Sequence, residues 1–575
     1  MFKTLVLILT VGIYSHLGGN HVYEYMESRW NCPKESAVEN LLRDMNEDGS
    51  WKSIDYANNA RSVWKPGKHA ENLRTLATFY HYHPEREDVL KAIRSSLAWW
   101  CARYPKCPNW WWNEIHGPFQ FGITGLWMRD YLDKEEMDGI LKVMDQLKRW
   151  RTGQNKVWAA RNWLLKGLLT DDLPLVQQCR DSLISEIVVT TDEGIQPDWS
   201  YHQHGHQLQF GNYGLSYAAN MTEWIKVFEG TGYDIPKEKQ DIIYNYIKEG
   251  LRWVVWNGYF DFSACGRQIG PGQQKSKARS AHSSMAKMGI EEAPAGAKYY
   301  PYSDFGIYRT DEWYASIRMN SSRTIGYENT NSENMRGYFT ADGALLVRRK
   351  GDEYNDNCAA WDWRHIPGTT TFNDGKEIYG TPGEKHPYNH SELVFGKVQD
   401  EIMVAAMEYD RKGLHARKAW FFFPEGILCL GSGISLDEGL DWDIQTAVNQ
   451  CRLRGGIESG KNWVSHDGIS YVFLDKNKYR IAPAEHSGDW YAIHPSKSKK
   501  KVTIDLFDLY TDHGKAPKNA SYAYLVFPGG KTGPEAASYA KKYVKVISNS
   551  ETCQKAVAGG REIVVDWEKG EIRID

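Results

Sequence analysis

The chain has 575 residues, of which 41% are hydrophobic and 25% charged, as expected for a globular protein with more than one core. The formal net charge of −3, from 70 basic and 73 acidic residues, argues against a protein that binds nucleic acid through a general positive field. The 24 Trp and 34 Tyr are unusually many, and such rings often stack on sugars.

The N-terminal segment MFKTLVLILTVGIYSHLGG places Lys3 before an apolar run from Leu5 to Tyr14. This pattern predicts a signal peptide over residues 1–19, with a buried first helix as the alternative. The run is too short to span a membrane, and no other stretch qualifies as a span. We therefore expect a secreted or periplasmic protein, and we expect it to be a monomer.

From about Ser36 to about Pro294 the apolar residues recur at the helical period. The segment MDGILKVMDQLKRW shows this best, because its apolar side chains fall on one face: Met137, Ile140, Leu141, Met144 and Leu147. Similar amphipathic stretches are REDVLKAIRSSLAWW, LPLVQQCRDSLISEIV and KQDIIYNYIKEGLRWVVW. This half of the chain therefore predicts an all-α bundle, solenoid or toroid.

After YYPYSDFG the pattern changes to short runs rich in Val, Ile, Tyr and Phe, broken by Gly, Asn and Asp. In KVTIDLFDLYTDHG, Val502, Ile504 and Leu506 alternate with polar residues, as in a half-buried strand. The predicted fold class is α+β multidomain: an α region followed by antiparallel β-sandwich domains. The predicted domains are residues 20–295, 296–500 and a small β domain at 501–575.

The segment SYHQHGHQLQFGNYG is the first candidate site. On a strand, His202, His204 and His206 would share a face, so a metal site is conceivable. No acidic or Cys partner stands at a recognised spacing, however, and the nine cysteines form no Cys-x-x-Cys. The alternatives are buried histidines with satisfied hydrogen bonds, or an acid-base pair of a histidine with Tyr213 on a glycine-punctuated loop.

Four further segments carry candidate residues. In NWWWNEIHGPFQFG, Trp110, Trp111 and Trp112 follow Asn109 and cannot all face one core, so an exposed ring for sugar stacking competes with core packing. Asn155 stands at a predicted helix start, where capping is the simple alternative. Finally, DFSACGRQIGPG places Arg267 in a glycine-rich turn, and GYENTNSENMRGY is dense in Glu and Asn.

In this order these segments resemble the polysaccharide lyase family that contains chondroitin AC lyases, hyaluronate lyases and xanthan lyases, family 8. The resemblance extends from DGSWKSIDYANNARSVWKPGKHAENLRTLA to WDWRHIPGTT and SGDWYAIHPS, most of the chain. It implies an incomplete α/α toroid followed by antiparallel β-sandwich domains.

The resemblance also implies roles for individual residues. Asn155 corresponds to the asparagine that binds the substrate carboxylate, His204 and Tyr213 to the catalytic histidine and tyrosine, and Arg267 to the first of two arginines. A supporting Glu-x-x-Asn pair falls on Glu328 and Asn331. The aromatic patch that guides the polymer falls on Asn109, Trp110, Trp111 and Trp112.

The sequence departs from this family in two ways. The second arginine, four residues after the first, would fall on Pro271, and Lys275, Lys277 or Arg279 are possible substitutes. The β half is also shorter than in the chondroitin and hyaluronan enzymes. Both departures concern how the substrate is held more than the reaction.

The implied reaction is β-elimination from an acidic polysaccharide, most simply chondroitin or hyaluronan, with xanthan or another uronate polymer as the alternative. Either His204 or Tyr213 can be the base, and endo or exo action stays open. The scheme requires no cofactor and no metal. A structural cation in the Asp-rich β domain stays open, although no pattern in the sequence supports it. Because the sequence lacks a basic field and a second apolar span, neither nucleic acid nor a membrane is an expected partner.

Two other classes of function compete with the lyase. An inverting glycoside hydrolase on an α/α toroid would use paired carboxylates, such as Asp192 or Glu193 with Asp198. A non-catalytic polysaccharide-binding protein would keep the cleft and the Trp patch without turnover, and Pro271 is the best argument for it.

Overall fold

The computed structural model describes residues 31–147, 151–378 and 389–575, together with positions 24, 380, 385 and 386. The predicted signal peptide at 1–19 lies outside these residues. The described chain forms two compact units. The first takes in the chain up to Val188 and Tyr217–Tyr244, and the second comprises Val189–Ser216 and Asn245–Asp575.

The α-helices lie mainly in the first half of the chain. In chain order they are α1 Glu35–Asp44, α2 Gly67–Tyr82, α3 Glu87–Arg103, α4 Gly117–Met128, α5 Lys134–Met144, α6 Gly153–Leu169, α7 Leu173–Ser185, α8 Leu215–Phe228, α9 Lys237–Asn245, α10 Gln273–Lys287 and α11 Gly533–Tyr543. None of the described helices is both long enough and apolar enough to cross a bilayer.

Helix α5 shows how the sequence sets these elements. The Asp133 side chain caps it by accepting a hydrogen bond from the Glu136 backbone N–H. The Glu136 carboxylate in turn accepts one from the Asp133 backbone N–H. On the predicted apolar face, Ile140 and Met144 are buried, as is Leu147 beyond the end of the helix.

The predicted long helix over KQDIIYNYIKEGLRWVVW is interrupted. Helix α9 ends at Asn245 and is followed by a π-helical turn, Tyr246–Gly250, and a 3-10 turn, Leu251–Val254. A Cβ on Gly250 would lie only 2.1 Å from the backbone oxygen of Trp199. The glycine therefore permits a close backbone approach that no other residue would allow.

The strands lie mainly in the second half. In chain order they are β1 Gly194–Ile195, β2 Tyr201–His202, β3 Val255–Trp256, β4 Tyr259–Phe260, β5 Gly296–Tyr300, β6 Phe305–Arg309, β7 Tyr314–Arg318, β8 Tyr327–Glu328, β9 Ala344–Arg348, β10 Thr370–Asn373, β11 Lys385–His386, β12 Val394–Gln399, β13 Ile402–Arg411, β14 Leu414–Phe423, β15 Gly426–Leu436, β16 Asp443–Arg452, β17 Ile457–Ser459, β18 Trp463–His466, β19 Ile469–Phe473, β20 Tyr479–Ile481, β21 Ala484–Gly488, β22 Val502–Lys515, β23 Ala520–Phe527, β24 Lys545–Asn549, β25 Cys553–Ala558, β26 Arg561–Asp566 and β27 Glu571–Ile574.

The larger sheets are antiparallel. Within the described residues, an eight-stranded sheet has the order β12-β13-β14-β15-β23-β19-β18-β17, and a second sheet has the order β10-β16-β22-β20, with β21 also paired to β22. Four-stranded sheets are formed by β5-β6-β7-β9 and by β24-β25-β26-β27. The helical first half followed by antiparallel sheets confirms the predicted fold class.

The core of the second unit lies against the eight-stranded sheet, where β13, β14, β15 and β23 contribute fully buried apolar side chains that meet those of α11 and β24–β27. In β22, Ile504 and Leu506 are buried and Val502 is half-buried, while Thr503 and Asp505 between them are exposed, as the alternation predicts. Strand β22 pairs with β16, so one sheet contains strands from both sides of the predicted boundary at residue 500. The domain boundaries stay a prediction.

Candidate active site

The histidine segment leaves the strand after its first histidine. Strand β2 ends at His202, and the chain then turns through His204 and Gly205, whose φ angles of 63° and 89° are left-handed. His202 is buried with its Nε2 2.9 Å from Ser303 Oγ, and burial lowers its pKa to about 3. The three histidines therefore do not form one face of a strand. In the part of the chain that the structure describes, no group of three His, Cys, Asp or Glu side chains is placed to hold a metal.

Tyr213 is presented by a π-helical turn, Phe210–Gly214, that runs into α8. A Cβ on Gly211 would lie 2.7 Å from both Ala264 O and Cys265 Cα. Glycine at this position therefore lets the segment that carries Tyr213 pack directly on the segment that leads to Arg267.

A buried lysine joins the same two segments. Lys277 Nζ donates hydrogen bonds to the backbone oxygen of Gly211 and to that of Cys265, the latter at 3.1 Å. Burial lowers the pKa of Lys277. Its ammonium therefore links the backbone of the segment that carries Tyr213 to that of the segment that leads to Arg267, and it is not exposed to solvent.

These constraints bring together His204, Tyr213 and Arg267. Tyr213 Oη lies 3.0 Å from His204 Nε2 and 3.2 Å from Arg267 Nη2. The His204 and Tyr213 rings are 4.9 Å apart between centroids, and the Arg267 guanidinium lies 5.3 Å from the tyrosine ring. One phenol hydroxyl is therefore in contact with a cation and an imidazole.

Glu328, at the end of β8, is the carboxylate at the centre of this group. Its Oε2 lies 2.8 Å from His204 Nδ1, and its Oε1 accepts from Arg267 Nη1 at 2.6 Å. Gln209 and Thr330 donate to the same carboxylate at 2.9 and 2.6 Å. Burial alone would raise the pKa of Glu328, but Arg267 and His204 outweigh it and hold the pKa well below its usual range.

The hydrogen bonds fix the direction of the protons. Because Glu328 is ionised, it accepts from His204 Nδ1, and an imidazole that carries its single proton on Nδ1 presents Nε2 as an acceptor. Arg267 can only donate to Tyr213 Oη, so the phenol proton points to His204 Nε2. Burial raises the pKa of Tyr213 above its ordinary value although Arg267 opposes this. The phenol of Tyr213 thus keeps its proton in the resting site and is hydrogen-bonded to the imidazole of His204.

Arg267 has a second carboxylate partner, Glu333, that the sequence motifs do not identify. Glu333 Oε2 accepts from Arg267 Nε at 2.8 Å. His494 Nε2 lies 3.7 Å from the other oxygen of Glu333, near enough for charge attraction but beyond an ordinary hydrogen bond. Asn331 lies between Glu328 and Glu333 in a left-handed conformation, with a φ of 62°. The dense Glu and Asn of this segment were the only signal for Glu333.

Asn155 belongs to the first unit and is the third residue of α6. The N-cap of this helix is Thr152, so Asn155 is not the capping residue. Its side chain is nine-tenths buried, and its Oδ1 makes no hydrogen bond with any described part of the chain. A buried amide oxygen without such a bond is costly unless a donor of a ligand or a water supplies it.

The tryptophan patch also belongs to the first unit. Asn109 is buried, and its amide donates to Arg61 O at 2.8 Å and accepts from the Trp111 backbone at 3.2 Å, so it orients the patch. The rings of Trp110, Trp111 and Trp112 are half-buried. Their faces meet other groups, notably the Arg151 guanidinium, which lies 4.0 Å from the centre of the Trp110 ring.

Position 271, where the resemblance places a second arginine, is an exposed proline. Of the three cations considered as substitutes, Lys277 is buried on backbone oxygens, whereas Lys275 and Arg279 are exposed. Lys275 lies 5.3 Å from the centre of the Tyr259 ring.

Two family descriptions match the sequence. The N terminal alpha-helical domain of polysaccharide lyase family 8 matches residues 19–298, and the super-sandwich domain of that family matches residues 295–540. Chondroitinase-AC of Pedobacter heparinus is 31% identical, over 90% of this chain and 81% of its own length. Hyaluronate lyase of Thermasporomyces composti is 23% identical over 85% and 74%, and xanthan lyase of Bacillus sp. strain GL1 is 23% identical over 90% and 66%.

Solved structures give the same result. A chondroitinase AC lyase determined with oligosaccharides has a TM-score of 0.85 at 26% identity and covers 98% of this chain and 94% of that one. The Streptomyces coelicolor A3 chondroitin AC lyase has a TM-score of 0.84 at 19% identity, covering 96% and 85%. At this lower identity the likeness shows the fold alone. From the family matches and the 31% identical relative, we conclude that the chain belongs to polysaccharide lyase family 8 and is a polysaccharide lyase.

Proposed function

We propose that this chain cleaves chondroitin or hyaluronan by β-elimination and leaves a 4,5-unsaturated uronate on one product. The observation that carries the proposal is the placement of Tyr213 Oη between His204 Nε2 and Arg267 Nη2. An elimination must take a proton from C5 and give one to the leaving oxygen on C4. A phenol bonded to an imidazole offers one donor and one acceptor at a single point.

Tyr213 is the proposed general acid. Tyr213 holds its proton at rest, so it can donate to the leaving oxygen. The C5 proton goes to His204 directly, or to Tyr213 after it has passed its own proton to His204. Both routes leave the imidazole protonated after the first transfer, and Glu328 at 2.8 Å stabilises that imidazolium. Return of this proton to Tyr213 restores the starting state.

The charges around Tyr213 serve the same reaction. Loss of the phenol proton is opposed by burial, and Arg267 lowers the pKa of Tyr213 against that effect. Glu328 and Glu333 hold the guanidinium in place through its Nη1 and Nε, which leaves Nη2 directed at the phenol. Arg267 therefore stabilises a phenolate that forms only during the reaction.

Asn155 fits the remaining requirement. The C5 proton is weakly acidic because the adjacent carboxylate is already charged, and a neutral amide donor can bind that carboxylate as it takes up more negative charge. The support for this role is that Asn155 is buried and does not cap its helix. Asn109 and Trp110–Trp112 are proposed to guide the polymer, and Asn331 is proposed to support Arg267.

The hydrolase alternative has weaker support. Asp198 accepts hydrogen bonds from Ser200 N, Ser200 Oγ and Tyr302 N at 2.9, 2.6 and 2.8 Å, and Glu193 accepts from Gly205 N at 3.0 Å. Both carboxylates therefore hold loops of the fold. Asp192 is exposed.

The choice of polymer rests on the relatives. The one that is 31% identical is a chondroitinase-AC, while those named for hyaluronan and xanthan are 23% identical. We also infer that the protein is a secreted or periplasmic monomer. The support for its location is the predicted signal peptide and the size of such a substrate.

Incubation with hyaluronan, chondroitin, chondroitin sulfates and xanthan tests the proposal. We expect absorbance of the unsaturated uronate to grow with chondroitin or hyaluronan. New reducing ends without that absorbance would mean a hydrolase, and binding without either signal would mean a non-catalytic binder. Cleavage of xanthan alone would show that xanthan, and not chondroitin or hyaluronan, is the substrate.

A further inference from the structure

The cation at the centre of the site is not available to the substrate. Arg267 has a side chain only 6% exposed, and its guanidinium faces two carboxylates, Glu328 and Glu333. Its positive charge is therefore more than neutralised by the groups that hold it. An acidic polysaccharide approaching this centre needs a second cation, nearer to solvent, to offset the repulsion.

The turn after strand β21 is fixed to the same charged network. His494 lies 3.7 Å from Glu333, and Ile493 O accepts a hydrogen bond from the Met335 backbone at 2.8 Å. Burial raises the pKa of Glu333, but His494 and Arg267 outweigh it and the pKa is lowered. The position of this turn is therefore coupled to the residues that hold Arg267.

Lys497 is the cation that this turn presents. The Lys497 backbone closes the turn by donating to His494 O at 2.8 Å. A Cβ on Gly270 would lie 3.4 Å from Lys497 Cε and 3.7 Å from its Nζ, so the lysine covers the glycine of the Arg267 turn. Gly270 is the third residue after Arg267, so their Cα atoms are at most about 11 Å apart. The ammonium is thus within reach of a polymer held at Tyr213.

Lys497 differs in its surroundings from a neighbouring lysine. Lys499 Nζ lies 4.3 Å from the centre of the Tyr491 ring. Lys497 is exposed, and within the described chain its ammonium has no hydrogen-bond or ion-pair partner. The ammonium of Lys497 therefore lies beside the site and can pair with an anionic group of a ligand.

We propose that Lys497 binds an anionic group of the polysaccharide, a carboxylate or a sulfate of a sugar near the cleavage point. This inference rests on the proposed function and names the residue that recognises the charge of the substrate. Lys497 stands beside Gly270 and exposed Pro271, where the chain has no arginine. It takes no part in the proton transfers, so it affects binding of the polymer and not the chemical step.

The test compares Lys497→Gln with Lys497→Arg and with Lys500→Gln, which removes the same charge from an exposed position three residues along the chain. We expect KM to rise about fivefold in Lys497→Gln with kcat unchanged, the effect of one partly solvated charged hydrogen bond. Lys497→Arg, which keeps the charge, should have the KM of the wild type, and Lys500→Gln should have it too. Added salt should reduce the difference in KM between the wild type and Lys497→Gln.

The polymers distinguish the two anionic groups. A rise in KM on hyaluronan and chondroitin sulfate alike assigns the carboxylate, and a rise on chondroitin sulfate alone assigns the sulfate. An unchanged KM on both, or an equal rise in Lys500→Gln, would overturn the inference. Calorimetric binding of each polymer to Tyr213→Phe, with and without Lys497→Gln, gives the affinity separately from turnover. If no polymer is cleaved, the proposed function fails, whereas this binding comparison still decides on Lys497.

Discussion

The hydroxyl of Tyr213 lies 3.0 Å from Nε2 of His204. Because Glu328 accepts from the other nitrogen of that imidazole, Nε2 is the nitrogen that can exchange a proton with the phenol. The pair is therefore arranged for proton exchange before any substrate is bound.

Replacing Tyr213 with Phe removes the acid and keeps the ring. We expect kcat to fall about 10³-fold, since a placed acid-base group contributes about 10² to 10⁴. The free energy of unfolding should change by only about 1 kcal/mol, the contribution of an ordinary hydrogen bond. Uronate absorbance and denaturant unfolding measure the two effects. A variant that keeps more than a tenth of the wild-type kcat would contradict the role of the phenol.

Glu328→Gln removes the carboxylate shared by His204 and Arg267. We expect kcat to fall about 10²-fold, because the imidazolium loses its counter-charge. The free energy of unfolding should fall by about 3 kcal/mol, since breaking a buried ion pair is costly even though Arg267 keeps Glu333. Glu438→Gln, at an exposed position, is the control. Equal activity of the two variants would remove Glu328 from the mechanism.

Lys277→Met tests the lysine that joins the two active-site segments. Without its ammonium, the buried oxygens of Gly211 and Cys265 lose a donor, and we expect the free energy of unfolding to fall by about 2 kcal/mol. The value of kcat should fall as well, because Tyr213 and Arg267 are no longer held together. Lys275→Met changes an exposed lysine on the same helix and should alter neither quantity. Similar effects in both variants would argue against the described contacts.

Asp192→Asn separates the lyase from the hydrolase. Asp192 is exposed and takes no part in the proton transfers, so kcat should stay within about twofold of wild type, as for an ordinary surface substitution. An inverting hydrolase that used Asp192 with Asp198 would lose nearly all activity. Steady-state rates on the polymer that the wild type cleaves decide between the two.

His365 predicts a pH dependence of stability. Burial lowers the pKa of His365, but Asp508 at 2.7 Å outweighs it and the pKa is raised to about 9. The unfolded value is near 6.5, so this pair contributes its full stability below about pH 6.5 and loses it as the pH rises through 9. We expect the free energy of unfolding to fall by up to about 3 kcal/mol over that window. In Asp508→Asn this decline should be absent, and its persistence would assign it to other groups.

The fold class could be predicted from the sequence because its signals are local. The 3.6-residue period of α5 and the two-residue alternation of β22 depend only on neighbours along the chain. The break after α9 could not be predicted in this way, because Gly250 at the end of its π-helical turn approaches Trp199, a residue distant in the sequence.

For the candidate site, too, the sequence predicts local features but not long-range contacts. The sequence motifs identify His204, Tyr213 and Arg267 as candidates, but their mutual distances depend on long-range contacts. Glu333 was missed because one carboxylate among several in an acidic segment gives no sign of which one faces an arginine. Lys277 was considered as a substrate-binding cation, and only the folded chain shows that it is buried on two backbone oxygens.

The mass of the products tests the elimination most directly. Digestion of a single purified oligosaccharide of hyaluronan or chondroitin, followed by mass spectrometry of both fragments, measures whether water has been added. The account predicts two fragments whose masses sum to that of the substrate, one of them carrying the unsaturated uronate. Fragments that together exceed the substrate by one water would show hydrolysis and would contradict the role given to Tyr213 and His204.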